Sequence, residues 1–276
     1  MSTAGSDTLV QQVVERFDDT PDLRLREILG SLVRHLHGFI RETRLTEQEW
    51  MKGIEFLTAV GQKCDDRRQE FILLSDVLGA SMQVVAVQSD RPTECTESTV
   101  FGPFHVEGAP QVPNGGDVAN GSHGTPCLVR GTVRAADGEE VAGATVDVWQ
   151  SDDDGLYDVQ RPELMGAQGR GVLTTDAHGA FWFRSVVPVP YPIPTDGPVG
   201  DLLHATRRSP WRPAHLHFRI QAPGYETLIT HVFRTGDPHL ALDPVFGVRP
   251  SLVADWPATS EGQHELQFAF VLHRAS

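Results

Sequence analysis

The sequence predicts an α+β protein, with an N-terminal helical domain over residues 1–98 followed by an antiparallel β-sandwich over residues 99–276. Apolar residues recur with the period of an α-helix up to about residue 89. Glycine and proline then dominate from about Gly102 to Gly121, which indicates a loop. Beyond it, short runs of β-forming residues alternate with turns, a pattern typical of a sandwich rather than of alternating α/β folds.

Three helical segments are predicted in the N-terminal domain. The first runs from Asp22 to about Thr43 and has one apolar face. The second begins at a capping box, in which the Thr46 hydroxyl caps backbone amides and Glu49 reaches back. The third runs from Asp66 to about Ser89 and is nearly apolar all round, so it should be buried in this chain or against a second one. Asp76 interrupts it and lies either on a narrow solvated side or facing a ligand cavity.

The β-sandwich is predicted from short apolar runs bounded by turn residues. Asp137-Gly138 and Asp176–Gly179 are typical of hairpin turns, each between two of these runs. The predicted strands are Val129–Val133, Thr145–Trp149, Gly171–Thr175, Phe181–Arg184, His215–Ile220, Leu228–Phe233 and His264–Leu272.

Composition argues against several classes of function. The 276 residues carry a formal net charge of −14, which disfavours a nucleic-acid partner or an anionic membrane surface. The chain shows no transmembrane run and no signal-peptide pattern. Cys64, Cys95 and Cys127 are widely spaced and form neither a CxxC pair nor a disulfide framework. A cytoplasmic protein with reduced thiols is therefore expected.

His215 and His217 lie two residues apart on a predicted strand, so both imidazoles should point to one face. Leu216 and Phe218 would then face the opposite way. This arrangement provides half of a metal site. The alternative is a strand with two polar residues on its solvated face, and ligands elsewhere in the chain must decide between the two.

Two of the three tyrosines are candidates for the other ligands. Tyr157 follows the second predicted strand, and Tyr191 lies in Val187–Pro194, where four prolines make the chain extended and stiff. Each tyrosine alone is equally an aromatic residue packing at the rim of the sandwich. Together with His215 and His217 they form a Tyr2His2 set, and phenolate with imidazole suits ferric iron better than zinc.

These residues, together with the motif Arg212-Pro213-Ala214-His215-Leu216-His217, resemble the intradiol ring-cleaving dioxygenases over nearly the whole chain. Plain catechol-cleaving members tend to have glutamine where this chain has His231, a difference that favours the hydroxyquinol-cleaving branch. Further stretches that resemble this branch are Leu74–Leu78, Thr96–Phe104, Thr230–Phe233 and Val245–Val248.

The resemblance implies non-haem Fe(3+) held by Tyr157, Tyr191, His215 and His217. It implies insertion of both atoms of O2 across the C1–C2 bond of hydroxyquinol (benzene-1,2,4-triol), giving 3-hydroxy-cis,cis-muconate or maleylacetate in aromatic catabolism. Tyr191 would accept a substrate proton, and Arg212 would stabilise negative charge on the ring. His231 is expected beside the iron ligands rather than among them.

The same resemblance supplies a substrate pocket with apolar walls and few polar groups. Asp76 would accept a hydrogen bond from the third hydroxyl, so hydroxyquinol should be preferred over catechol. The candidate pocket residues are Leu73, Asp76, Val100, Phe101, Gly102, Pro103, Phe104, Ile193, Pro194, Arg212, Val245 and Phe246.

The resemblance also implies a homodimer through the N-terminal helices, an interface that can hold a phospholipid. Two rival interpretations stay open at this point. One is a catechol or chlorocatechol 1,2-dioxygenase with a different pocket. The other is a metal-free β-sandwich binding module with a helical dimerisation domain.

Overall fold

The computed structural model describes residues 3–66, 68–88 and 91–275, with side chains from residue 8 onward. The chain forms two compact units, Met1–Gln62 and Lys63–Ser276. The domain boundary expected between residues 98 and 99 stays a prediction.

The first unit contains helices α1 (Thr3–Glu15), α2 (Leu23–Thr43) and α3 (Glu47–Gln62), which confirms the two helices predicted on either side of Thr46. The Asp22 carboxylate caps α2 by accepting hydrogen bonds from the first amides of the helix, at 2.9 and 3.0 Å. The predicted capping box precedes α3. The Glu49 amide donates to Thr46 Oγ1 at 3.2 Å, and the Thr46 amide donates to Glu49 Oε2 at 2.9 Å.

Helices α2 and α3 leave many apolar side chains exposed. From Leu25 to Phe39 of α2 they recur every three or four positions and so form one stripe along the helix. Exposed apolar patches of this extent commonly mark interaction surfaces. The exposed apolar residues of the two helices are Leu23, Leu25, Ile28, Leu32, Leu36, Phe39, Ile40, Trp50, Met51, Ile54 and Leu57.

The single helix predicted from Asp66 to Ser89 is wrong, although residues 67 and 89 lie outside the described part of the chain. Two helices occupy this segment, α4 (Glu70–Val77) and α5 (Ala80–Gln88), with a bend of 74° between them. Gly79 separates them with a φ of +72°, a left-handed conformation that glycine adopts without steric cost. Both helices also expose apolar residues, so burial all round within this chain does not occur.

No single helix in the described part of the chain is long and apolar enough to cross a membrane. Among the described residues, the bent pair α4–α5 meets the length and composition of a span when the two helices are taken together.

Ten strands in the described residues form three sheets. A three-stranded sheet has the order β10-β1-β4, and a five-stranded sheet has the order β3-β2-β7-β8-β9, while β5 pairs with β6. Helix α6 (Pro198–Ala205) connects β5 to β6. The strands are β1 (Pro126–Ala135), β2 (Thr145–Trp149), β3 (Arg170–Thr174), β4 (Ala180–Val186), β5 (Tyr191–Pro192), β6 (Trp211–Arg212), β7 (His215–Gln221), β8 (Leu228–Arg234), β9 (Val253–Ala254) and β10 (His264–Leu272).

The α+β class is confirmed, because helices precede a β-rich unit whose two larger sheets share one hydrophobic core. The sandwich is mixed rather than antiparallel throughout, since β1–β10 and β8–β9 are parallel pairs. Leu216 and Phe218 of β7 belong to the core, together with Val146 and Val148 of β2. The opposite face of β2 and β7 is therefore free to carry polar groups.

The two predicted hairpins are wrong, although both turns form. The Gly138 amide donates to the Ala135 carbonyl, and the Gly179 amide donates to the Asp176 carbonyl. Strand β1 nevertheless pairs with β4 and β10, and β2 pairs with β3 and β7. Turn residues specify a reversal of the chain, whereas burial of apolar faces selects the pairing partner. Each turn therefore carries the chain from one sheet to the other.

Candidate metal centre

His215 and His217 lie at the start of β7, near the middle of the five-stranded sheet. Because Leu216 and Phe218 point into the core, the alternation of side chains places both imidazoles on the other face. Both histidines are buried, and their Nε2 atoms lie 3.1 Å apart. The two imidazoles therefore lie on one face of β7, as the sequence predicts.

Tyr157 reaches the same point from the segment after β2, and Tyr191 reaches it from the short strand β5. Tyr157 Oη lies 3.0 Å from His217 Nε2 and 3.2 Å from Tyr191 Oη. Tyr191 Oη lies 3.5 Å from His215 Nε2. The segment after β2 approaches β5 closely at Gly155, where an added Cβ would lie 3.0 Å from the Cβ of Tyr191. The four predicted donor atoms therefore converge.

The two imidazoles are oriented by different means. His215 donates its Nδ1–H to the Pro213 carbonyl at 2.6 Å, which leaves the Nε2 lone pair directed at the tyrosines. His217 Nδ1 has no hydrogen-bond partner among the described residues. Its ring is instead stacked on Trp149, with ring centroids 4.7 Å apart and an angle of 15°. Strand register explains the stack, because Trp149 of β2 pairs with His217 of β7.

Electrostatics keep both imidazoles neutral. Burial, followed by the charge of Arg212, lowers the pKa of His215 well below its ordinary value. Burial, followed by the neighbouring His231 and His215, does the same to the pKa of His217. Unprotonated imidazoles have a lone pair available for a metal ion.

The buried phenols complete a donor set that fits a metal. Burial, followed by the proximity of Tyr191, raises the pKa of Tyr157 well above its ordinary value. A cation between the four donors would stabilise the phenolate form that burial disfavours. Two phenol oxygens and two imidazole nitrogens within 3.0 to 3.5 Å of their neighbours therefore support a bound metal.

His231 borders this group. It pairs with His217 across β7 and β8, and the two ring centroids are 4.2 Å apart. His231 Nδ1 lies 2.5 Å from the Thr99 hydroxyl, whereas its Nε2 has no partner among the described residues. One nitrogen each from His215, His217 and His231 lies within 4.8 Å of the other two. Its position beside the four donors agrees with the role expected from the sequence, which stays a prediction.

Arg212 contacts the donor cluster directly. Its Nη1 lies 3.4 Å from Tyr191 Oη and 3.3 Å from His215 Nε2, and its Nε donates to Asp243 Oδ1 at 3.1 Å. Burial disfavours the guanidinium charge, but attraction to Asp243, and then to Tyr191, outweighs it and raises the pKa of Arg212. The site therefore contains a fixed positive charge.

Asp76 is 7% exposed, which excludes the solvated side of the helix considered for it. The pKa of Asp76 is raised, mainly by burial. A hydrogen bond with Ser81 and attraction to Arg212 act in the opposite direction, whereas the charge of Asp243 adds to the increase. The Asp76 carboxyl is thus coupled electrostatically to the arginine of the site.

Several other predicted pocket residues also lie at this centre. Phe104 stacks on Tyr157, with ring centroids 4.3 Å apart, and Phe101 packs edge-on to Trp149 at 5.6 Å. Gly102 has a φ of +79°, and a Cβ there would lie 3.1 Å from His217 Cε1, so only glycine allows this close approach. The substrate-binding role of all the pocket candidates stays a prediction. The candidates not yet described are Leu73, Val100, Pro103, Ile193, Pro194, Val245 and Phe246.

Sequence reasoning missed three residues that support the site: Trp149, Thr99 and Asp243. The match of Trp149 to His217 depends on strand register, and the contact of Thr99 with His231 spans the fold. Asp243 carried one local signal, an Asp-Pro turn just before the pocket candidates Val245 and Phe246. That signal predicts the turn but not its partner, Arg212.

Comparison with known proteins agrees with this geometry. A family model for the dioxygenase C-terminal region, described as "Dioxygenase", matches residues 100–274, and a model described as "Catechol dioxygenase N terminus" matches residues 22–96. The chain belongs to the intradiol ring-cleavage dioxygenases. As a member of this family it is an enzyme, which confirms the resemblance drawn from the tyrosine and histidine motifs.

Individual relatives of this dioxygenase are similar over almost their full length. A 6-chlorohydroxyquinol 1,2-dioxygenase from Cupriavidus pinatubonensis is 61% identical over 265 residues, which cover 96% of each chain. A hydroxyquinol 1,2-dioxygenase from Rhodococcus opacus is 55% identical over 93% of this chain and 87% of its own. The solved structure of hydroxyquinol 1,2-dioxygenase from Pseudomonas putida DLL-E4 has a TM-score of 0.94 and 46% identity, covering 99% of this chain and 100% of its own.

Proposed function

We propose that this dioxygenase inserts both atoms of O2 across the C1–C2 bond of hydroxyquinol, giving 3-hydroxy-cis,cis-muconate and its tautomer maleylacetate. The observation that carries the choice of substrate is the buried carboxyl of Asp76, coupled to Arg212. A third ring hydroxyl would form a hydrogen bond with this carboxyl, whereas catechol offers no such group. Relatives named for hydroxyquinol and 6-chlorohydroxyquinol support the same choice.

The proposed cofactor is Fe(3+), held by Tyr157, Tyr191, His215 and His217. Phenolate is a hard, strongly donating ligand that suits a trivalent ion, whereas zinc sites in proteins favour thiolate and imidazole. Ferric iron bound there would supply Lewis-acid and redox chemistry to the two adjacent oxygens of the diol.

The chain's own groups would move protons and stabilise charge. Tyr191 is the phenol in contact with Arg212. With iron bound, Tyr191 would be held as its phenolate, and we expect this oxygen to take the proton of one substrate hydroxyl as the diol binds, becoming a neutral phenol. Arg212 would then stabilise the negative charge that develops on the ring, and the aromatic walls Phe101 and Phe104 would strengthen that interaction by excluding water.

Substrate preference tests the assignment. The ratio kcat/KM for hydroxyquinol should exceed that for catechol by about a hundredfold or more, because the site is built to pair a third hydroxyl. Asp76→Leu keeps the branched shape and the number of side-chain heavy atoms but removes the carboxyl, so it should lower kcat/KM for hydroxyquinol far more than for catechol. Asp201→Leu, at an exposed carboxylate on α6, is the control. A wild-type preference for catechol would overturn the substrate and favour a catechol 1,2-dioxygenase.

Colour tests the cofactor separately. Tyrosinate bound to ferric iron absorbs visible light by charge transfer, so the purified protein should be coloured and lose its colour when iron is removed. Protein that stays colourless after incubation with iron would contradict the assignment of Fe(3+) to this site.

We further propose a homodimer formed through the helices of the first unit. The apolar stripe on α2, with Leu32 57% exposed, supports this assignment because water is an unfavourable environment for it. An acyl chain of a phospholipid would be compatible with such a surface. Burial against a second copy would account for the exposed apolar residues without a further partner.

A further inference from the structure

Asp243 contacts Arg212 from the side opposite the donor cluster. The Arg212–Asp243 ion pair joins Nε to Oδ1 at 3.1 Å, and the two side chains are only 4% and 2% exposed. The other edge of the guanidinium carries the contacts of Nη1 with Tyr191 and His215. Asp243 therefore holds Arg212 by the edge that faces away from the donor cluster.

The same carboxylate organises the loop that follows it. Asp243 Oδ2 accepts a hydrogen bond from the Gly247 amide at 2.9 Å. This closes a turn in which Phe246 has a φ of +58°, a conformation that a bulky residue adopts only when its surroundings impose it. A Cβ on Gly247 would lie 3.3 Å from both Arg212 Nη2 and Asp243 Oδ2, so the backbone closes tightly over the ion pair.

A second arginine anchors this loop to the helix that carries Asp76. Arg208 donates to the Pro244 carbonyl at 3.1 Å and to the Val77 carbonyl at 2.6 Å. Its guanidinium also lies 5.1 Å from the centre of the Phe246 ring. The loop that begins at Asp243 is thus fixed on one side to Arg212 and on the other to the end of α4.

We propose that Asp243 is a positioning residue of this enzyme, orienting the Arg212 guanidinium toward the substrate while fixing the Val245–Phe246 wall in the same geometry. This inference rests on the proposed function, in which Arg212 stabilises charge on the ring. An arginine side chain has several rotatable bonds, and an ion pair at Nε removes most of that freedom while leaving Nη1 directed at the donor cluster. A misplacement of the charge by about 1 Å is enough to weaken catalysis strongly.

The test compares Asp243→Asn with wild type in the iron-containing protein. The substitution keeps the size of the side chain but removes its charge and one of its two acceptor oxygens. We expect kcat for hydroxyquinol to fall by about a hundredfold, with a smaller change in KM. Iron content and the visible charge-transfer band should remain, because Asp243 contacts none of the four donors. Asp243→Glu, which restores the charge, should recover part of kcat.

A double-mutant cycle separates positioning from general stability. In an Arg212→Gln background, Asp243→Asn should lower kcat little further, because the group that Asp243 positions is gone. Glu70→Gln is the matched control: Glu70 is a fully buried carboxylate paired with Arg68, and its loss should lower thermal stability without changing kcat per bound iron.

Three results would overturn the inference: a wild-type kcat for Asp243→Asn, loss of iron from this variant, or equal effects of Asp243→Asn in the two backgrounds. Failure of the proposed function itself looks different, because wild-type protein would then lack the charge-transfer band or ring cleavage.

Discussion

At the scale of single residues, the two histidines of β7 show how differently neighbouring side chains can be fixed. A hydrogen bond to the Pro213 carbonyl sets both the orientation and the tautomer of His215. His217 has no such hydrogen bond at Nδ1 among the described residues and is oriented there by packing, with the Trp149 indole on its face and Gly102 near its Cε1. Metal-binding histidines usually donate the other ring N–H to an acceptor, so His217 depends more than His215 on the shape of its surroundings.

Shortening Trp149 should therefore weaken the metal site as well as the fold. Trp149→Leu removes a buried ring and should lower the free energy of unfolding of the metal-free protein by about 2–4 kcal/mol. It should also lower metal affinity by about tenfold or more, because the His217 ring loses its orientation. Urea denaturation measures the first effect, and competition with a chelator measures the second.

Trp182→Leu is the control, because Trp182 is only partly buried and lies on β4, outside the five-stranded sheet. Its substitution should cost less stability and leave chelator competition unchanged. Unaltered metal retention in Trp149→Leu would show that the stack does not orient His217.

At the scale of elements, close approach between strands depends on one glycine of β1. Gly131 lies opposite Phe181 of β4, and a Cβ at this position would be 2.1 Å from the Phe181 ring. The ring thus lies over the glycine and fills the core beneath it. Without that space, Phe181 would have to leave its position among the buried aromatic residues.

Gly131→Ala should consequently destabilise the sandwich. Overpacking of a core by one methyl group or more costs about 1–3 kcal/mol, and the free energy of unfolding from urea titration measures it. Gly166→Ala is the matched control, because a Cβ at Gly166 has no atom within 4 Å. Equal stabilities of the two variants would contradict the packing assigned to Gly131.

The elements also show where the sequence was sufficient and where it was not. Strand β7 and its two histidines were predictable because alternation is a local property, and the capping box of α3 was predictable for the same reason. The hairpins failed because strand pairing is decided by the whole sandwich. The break at Gly79 was missed because the apolar run continues on both sides of it. Asp243 was missed because its contact with Arg212 joins residues far apart in sequence.

At the scale of the whole molecule, the site is assembled from distant parts of the second unit. Its donors come from β5, from β7 and from the segment after β2, whereas Asp76 comes from α4 and Asp243 lies in the connection between β8 and β9. Residues with a direct chemical role were recognisable by type, because tyrosine, histidine and arginine carry groups that bind metals or stabilise charge. Residues that position them, such as Trp149 and Thr99, are ordinary core residues in sequence and gain their role only through tertiary contacts.

The proposed dimer forms through the first unit, and introducing a charge into the apolar stripe of α2 tests it. Leu32→Glu places a carboxylate at the middle of the exposed face of α2. If that face is buried against a second copy, the charge would lose its hydration there, and the dimer should dissociate. Sedimentation velocity across a dilution series should then show monomers where wild type remains dimeric.

Arg34→Glu, half a turn around α2 from Leu32, also introduces a carboxylate but on the polar side, and it should leave the dimer intact. Dimers that persist in Leu32→Glu would exclude this face from the interface.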